Sequence, residues 1–120
     1  MRKLVISTPD FDKQVKALSK SKRYPKLPSD LKRFKQKLAI GEISSKRARG
    51  VKSAPVYGAR IEDSSTGIGK RGGFRVLYFE GEEEYTLLFI DRRRELDAWP
   101  TDIILRLLKE LRLWPSDESN

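Results

Sequence analysis

The sequence predicts an α+β fold in which helices pack on one face of a small, mostly antiparallel sheet. Two observations lead to this prediction. The first half of the chain contains two amphipathic helical patterns that are joined by a short loop. The second half contains short segments rich in aromatic and branched residues, as is typical of strands. The predicted order is strand, helix, helix, three strands and a final helix.

The N-terminal elements form a predicted strand followed by a helical hairpin. Residues 2–6 are the strand, and the first helix is predicted over residues 9–21. Thr8 is suited to cap this helix, with proline at the first helical position. The second helix starts at residues 28–30 and stops at Gly41, because glycine commonly follows a last helical turn.

The second half of the chain carries the predicted centre of the sheet. Strands are predicted over residues 56–61, 74–79 and 85–90. The last two are apolar on both faces, so we expect them to pair antiparallel in the sheet centre. Residues 41–55 form a predicted basic loop, and residues 62–73 form a predicted glycine-rich turn.

The C-terminal part is predicted to leave the sheet and end in a helix. Residues 91–97 are charged, and a helix with an apolar stripe begins at residues 100–102. The chain has 120 residues, no internal repeat and no long linker. We therefore predict a single domain over residues 1–115 and a disordered tail over residues 116–120.

The composition excludes several classes of function. The chain has no cysteine and no histidine, which removes disulfide scaffolds, cysteine nucleophiles, Ser-His-Asp triads and nearly all zinc chemistry. The apolar run at residues 4–6 is too short for a signal peptide or a membrane span. We therefore expect a soluble, cytoplasmic protein.

The positive charge is concentrated in one half of the chain. The net charge is +9, but residues 1–60 hold 17 Lys+Arg against 4 Asp+Glu, whereas residues 61–120 hold 9 against 13. Such asymmetry indicates a basic face for a polyanion such as nucleic acid. A solvated, soluble surface is the alternative.

The glycine-rich segment matches two nucleotide-binding motifs only in part. Gly67, Gly69 and Gly72 have the spacing of the dinucleotide fingerprint, but a strand and not a helix follows them. A phosphate-binding P-loop also fails, because Arg71 follows Lys70 where serine or threonine is needed. A hairpin turn, in which glycines supply positive φ, explains the glycines but not the adjacent basic pair.

Arg75 is the most informative single residue. It shares the face of a predicted central strand with Leu77 and Phe79. A guanidinium on an apolar face costs desolvation unless it meets an anion. That anion is either a carboxylate, such as Asp91 or Glu62, or a phosphate, and the sequence leaves both open.

A run of three arginines follows the last predicted strand at residues 92–94. It is either a solvated exit from the sheet or, together with Lys70, part of a phosphate site at one sheet edge. The neighbouring carboxylates alternate with these arginines, so ion pairs are favoured over a metal site. These carboxylates are Asp91, Glu95 and Asp97.

The segment GKRGGFRVLYF at residues 69–79 resembles the RelE/HigB branch of the RelE/ParE toxin superfamily. The pattern GK-x-GG-x-R within it is fairly specific, and the resemblance spans about residues 2–95. Four other segments agree with this family: ARI at 59–61, LLFI at 87–90, TPDFD at 8–12 and LPSDL at 27–31.

The resemblance implies a RelE-like fold and the toxin of a type II toxin–antitoxin system. Such toxins are neutralised by a cognate antitoxin, here expected to be a helix-turn-helix protein, and bind operator DNA only as the toxin–antitoxin complex. Members of this branch are endoribonucleases (mRNA interferases) that cleave mRNA, typically on the ribosome, and so inhibit translation. The ribose 2′-hydroxyl attacks the adjacent phosphodiester without a metal or other cofactor.

The resemblance also implies site residues. Arg75 matches the arginine at the scissile phosphate, Lys70 the lysine of the glycine turn, and Arg60 a basic residue one strand earlier. An arginine of residues 92–94, taken as Arg93, matches the basic residue after the last strand. The further RNA-binding candidates are Arg71, Arg92, Arg94, Lys46, Arg47, Arg49 and Trp99.

One departure from the family concerns proton transfer. Some members carry a catalytic tyrosine in the tail, where the nearest aromatic residue here is Trp99, which can stack on a base but cannot transfer a proton. Either the proton then moves through a lysine or arginine, with Tyr57 and Tyr78 as further candidates, or the activity is weak. The alternative function is a non-catalytic binder: a ParE-like gyrase poison or a basic nucleic-acid-binding module.

Overall fold

The computed structural model describes residues 2–20, 24–51, 53–65, 69–92 and 100–114, with the backbone alone at residues 69–72. The fold is α+β, with three helices and a five-stranded mixed sheet. The elements in chain order are β1 (Leu4–Ser7), α1 (Pro9–Ser19), α2 (Leu27–Ala39), β2 (Ser45–Arg47), β3 (Val56–Asp63), β4 (Gly69–Glu80), β5 (Glu84–Arg92) and α3 (Thr101–Glu110).

The sheet has the strand order β1-β5-β4-β3-β2. The central strand β4 pairs antiparallel with β3 and with β5, which confirms the predicted pairing of residues 74–79 with residues 85–90. β1 pairs parallel with β5, so the sheet is mixed. β1 is an edge strand of the sheet, and its sequence pattern does not predict that it pairs parallel with β5.

The first face of the sheet, called the helix face below, is covered by α1 and α2. Thr8 caps α1 as predicted, because its side chain accepts a hydrogen bond from the Phe11 N–H at 3.1 Å. The same hydroxyl donates to the Leu87 carbonyl at 3.0 Å, which ties α1 to β5. The buried side chains of this layer include Phe11, Leu27, Phe34, Phe74, Val76 and Leu87.

The second face, called the α3 face below, is covered by α3 and by a segment that precedes β3. Its buried cluster joins Leu77 and Leu88 of the sheet to Ile104 and Leu108 of α3. The same cluster includes Ala48, Val51 and Ala54, and Gly50 turns the chain beside them with a φ of 80°. Among the described residues, none of the helices is both long and apolar enough to cross a bilayer.

Three predicted boundaries were wrong. The loop predicted over residues 41–55 contains the short edge strand β2, and the turn predicted over residues 62–73 is shorter because β4 starts at Gly69. Asp91 and Arg92 stay in β5 instead of leaving the sheet. All three errors have one cause, since polar residues enter a strand when a neighbouring strand pairs with their backbone. The predicted tail lies outside the described residues.

Gly73 serves a close approach between strands. A Cβ atom built on it would lie 2.0 Å from the Ile61 carbonyl oxygen and 3.0 Å from the Asp63 nitrogen, which no side chain can occupy. The β3–β4 register shifts between these same two residues. This glycine therefore permits the irregular pairing and does not supply the positive φ that the sequence suggested.

Candidate functional site

Two arginines lie side by side on the α3 face. Arg60 of β3 and Arg75 of β4 are direct cross-strand partners, and Asp91 of β5 is the partner of Arg75 on its other side. Directly opposed residues of an antiparallel pair have Cβ atoms about 5 Å apart, and like charges there destabilise the pairing unless an anion offsets them. The arrangement is therefore suited to hold an anion, either Asp91 or a phosphate.

A basic cleft extends from Arg60 toward α2. Its volume is about 50 Å³, far below the roughly 300–1,000 Å³ of pockets that enclose a small molecule. Such a shallow cleft suits a group on a polymer better than a free ligand. Its lining contains the cations Arg33, Lys37 and Arg60, the carboxylates Asp30 and Glu62, and the apolar residues Phe34, Ile43 and Ile61.

A buried carboxylate holds the turn after β3 against α2. Asp30 accepts hydrogen bonds from the Ser64 hydroxyl at 2.6 Å and the Ser64 N–H at 3.0 Å. It also pairs with Arg33 at 2.5 Å, although only the Asp30 side chain is buried. This junction fixes the end of β3 and one wall of the basic cleft, because Asp30 and Arg33 both line it.

Arg92 lies on the opposite face from Arg75. Its cross-strand partner is Phe74, a residue of the helix face. Its guanidinium lies over the Tyr24 ring, 5.1 Å from the ring centroid, and donates a hydrogen bond to the Tyr24 hydroxyl. Arg92 is the first arginine of the run and lies at the same end of the sheet as the β4 glycines. Because side chains alternate between the two faces of a strand, it lies on the opposite face from Arg60 and Arg75.

The three cations around β2 are all exposed but differ in their contacts. Arg47 donates to the Ser53 carbonyl at 2.6 Å and to the Ala54 carbonyl at 3.2 Å, and lies over the Tyr57 ring. It therefore closes the segment before β3. Lys46 and Arg49 are exposed and remain available to a polyanion.

Both tyrosines that were candidates for proton transfer lie on the helix face. Tyr57 and Tyr78 are cross-strand partners with stacked rings. The Tyr78 hydroxyl donates to the Ser45 hydroxyl at 2.8 Å, and burial raises the pKa of Tyr78 above its ordinary value. A buried tyrosine with a raised pKa on the far side of the sheet is poorly placed to serve Arg75 as a base.

The remaining predicted site residues are described in part or not at all. The backbones of Lys70 and Arg71 belong to β4, the same strand as Arg75. Arg93, Arg94 and Trp99 lie outside the described residues. Within the described part of the chain, no three acidic side chains form a group that could hold a metal ion.

The sequence analysis missed Arg33 and Lys37 as neighbours of Arg60. Their spacing of four residues places them on one helix face, but only the tertiary packing brings that face to β3. It also missed Asp30, whose position in the first turn of α2 is explained by the helix dipole without any link to Ser64.

No family model matches this chain, and no curated protein matches it either.

Proposed function

We propose that the protein is the toxin of a type II toxin–antitoxin system with a RelE-like arrangement, and that it cleaves mRNA on the ribosome without a metal. One observation supports this most directly. Arg75 of the GK-x-GG-x-R pattern and Arg60 are opposed on neighbouring strands. Two like charges at such a distance favour an anion between or beside them.

In this proposal the two arginines stabilise the transition state of RNA cleavage. The ribose 2′-oxygen forms a bond to phosphorus while the bond from phosphorus to the 5′-oxygen breaks, which leaves a 2′,3′-cyclic phosphate and a 5′-hydroxyl. Arg75 and Arg60 hold the phosphate oxygens whose negative charge grows as phosphorus becomes pentacoordinate. Lys70 takes the proton from the ribose 2′-hydroxyl and passes it to the departing 5′-oxygen. Tyr57 and Tyr78 are not placed to do so, because they lie on the helix face.

The exposed cations extend the site along the RNA backbone. Lys46 and Arg49 are exposed near the β2 edge, and Arg33 and Lys37 line the cleft at the β3 edge, on the side of α2. Such contacts bind phosphates without regard to sequence and weaken with salt. In the cell, the proposal places the protein in the cytoplasm, neutralised by an antitoxin and bound to operator DNA only as a complex with it.

The test compares Arg75→Ala with the wild-type protein in cleavage of ribosome-bound mRNA. Loss of one charge-assisted contact to the oxyanion lowers the rate by about 10²–10³, equivalent to about 3–4 kcal/mol of barrier. We expect the same range for Arg60→Ala. Arg106→Ala is the matched control, because Arg106 is an exposed arginine of α3 outside the site.

Two results would contradict the catalytic proposal. The first is wild-type cleavage by a folded Arg75→Ala variant. The second is the absence of both mRNA cleavage and growth arrest when the soluble wild-type protein is expressed without an antitoxin.

A non-catalytic role is the second candidate, and the position of Asp91 favours it. Asp91 is the direct cross-strand partner of Arg75, so the anion beside Arg75 would come from within the protein. The protein is then a ParE-like gyrase poison or a basic nucleic-acid-binding module. Inhibition of gyrase supercoiling without RNA cleavage supports the first form. Uniform loss of RNA affinity, without a rate defect, supports the second.

A further inference from the structure

The outer edge of β1 leaves backbone groups unpaired. In a parallel ladder, alternate residues bond to the neighbouring strand and the residues between them face away. The Leu4 N–H donates to the Glu83 carbonyl, so Val5 and Ser7 face outward. Within the described residues, neither of these two N–H groups has a hydrogen-bond acceptor.

An open groove of about 540 Å³ lies beside this edge, between β1 and the C-terminal half of α2. The Lys3 N–H donates to the Ala39 carbonyl at 2.9 Å, which joins the start of β1 to the end of α2. The groove contains four cations and, among the described residues that line it, no acidic side chain. The four cations are Arg2, Lys3, Lys35 and Lys37.

Only one of these four cations is neutralised by a carboxylate in the described part of the chain. Lys3 pairs with Glu80 at 3.3 Å, whereas Arg2 and Lys35 form no salt bridge there. The strand also exposes apolar side chains, with Leu4 66% and Ile6 41% exposed, and Leu4 lines the groove as well. Edge strands of soluble proteins usually carry charge at such positions and so avoid pairing with other chains.

We infer that β1 pairs with an extended segment of a protein partner that alternates acidic and apolar side chains. The segment forms backbone hydrogen bonds with Val5 and Ser7. Its acidic side chains lie beside the groove cations, among them Arg2 and Lys35, and its apolar side chains extend the surface of Leu4 and Ile6. A second copy of this chain is excluded as the occupant, because it would bring the same cations together.

The inference rests on the proposed function in one respect, namely that a toxin needs a neutralising partner. Its chemistry is independent of RNA cleavage, so the two can be tested apart. The probe is a ten-residue synthetic peptide of alternating valine and glutamate, added to the full-length protein. A peptide of alternating valine and lysine is the control.

The readout is amide hydrogen exchange by NMR. We expect the acidic peptide to slow exchange at Val5 and Ser7 by at least about tenfold, as backbone pairing requires. Arg2→Glu combined with Lys35→Glu should weaken peptide binding by about tenfold or more. Lys13→Glu combined with Lys16→Glu, on the exposed side of α1, makes the same charge change elsewhere and should preserve binding.

Three results would overturn the inference. They are no binding of the acidic peptide, equal binding of the lysine peptide, and protection of Val5 and Ser7 that rises with protein concentration alone, which indicates self-pairing. A protein that fails to cleave RNA but binds the peptide as described disproves the nuclease and retains this inference. A protein that cleaves RNA but does not bind the peptide retains the nuclease proposal and disproves this inference.

Discussion

The two faces of β4 differ in whether they contain a charged side chain. On the helix face, Phe74, Val76 and Tyr78 are buried under α1 and α2. On the α3 face, Leu77 and Phe79 are buried, but Arg75 is only half-buried and lies opposite Arg60. The α3 face therefore changes from charged to apolar along a single strand.

The difference shows that the elements packed on a face, and not the position along the strand, decide whether a charged side chain is buried in that layer or stays at the surface. Arg92 also sits at the charged end of the sheet, but on the helix face, where Tyr24 receives its guanidinium. Arg75 has Arg60 and Asp91 as its cross-strand neighbours. One arginine packs on an aromatic ring of the helix layer, and the other lies beside a second arginine on the α3 face.

We expect the largest difference in stability between alanine variants of two adjacent residues of β4. Phe74 is 1% exposed, and its ring packs edge-on against the Tyr24 ring with 5.1 Å between the ring centroids. Phe74→Ala should lower the free energy of unfolding by about 3–5 kcal/mol, because it leaves a cavity in the core. Arg75→Ala should lower it by no more than about 1 kcal/mol. Urea denaturation measures both, and equal losses would mean that Arg75 has a structural role.

The next effect concerns the polar junction on the helix face. Asp30→Ala removes the acceptor of two Ser64 hydrogen bonds and the partner of Arg33. The expected loss is about 2 kcal/mol, since hydrogen bonds to a charged group contribute about 1.5–3 kcal/mol. Ser64→Ala removes only the hydroxyl donor and should cost less. A stability loss that is larger for Ser64→Ala would contradict this account of the junction.

Arg92→Ala should sharpen the contrast with Arg75. It removes the cation over Tyr24, and we expect the free energy of unfolding to fall by about 1 kcal/mol. If the protein cleaves RNA, this variant should retain a rate within a few-fold of wild type, unlike Arg75→Ala. A rate defect as large as that of Arg75→Ala would place both arginines in one site.

The smallest effect depends on pH. Burial raises the pKa of Tyr78 in the folded protein, so the folded state keeps its proton to a higher pH than the unfolded state does. This contribution is fully present below about pH 10, the ordinary tyrosine pKa, and is lost as the pH rises through the raised pKa. Tyr78→Phe should show a shallower fall in stability as the pH rises above about 10, measured by urea denaturation.

Local sequence patterns were enough to predict the elements whose contacts are mainly between residues close together in the sequence. The Thr8 cap, both helices of the hairpin and the pairing of the two apolar strands followed from spacing and composition. The face of Arg75 also followed, because the period of a strand is two residues. These features depend on contacts within a few residues or on a hydrophobic pattern that has one consistent solution.

The sequence by itself determined the α+β composition, the basic N-terminal half and the placement of Arg75 among apolar neighbours. Only the tertiary structure decided that β2 exists, that β1 joins β5 in parallel, that Arg60 lies opposite Arg75, and that the edge of β3 borders the cations of α2. It also separated Arg92 from Arg75, although both are arginines at one end of the sheet. The physical reason is that strand pairing and register join residues far apart in the chain, and no local propensity encodes such partners.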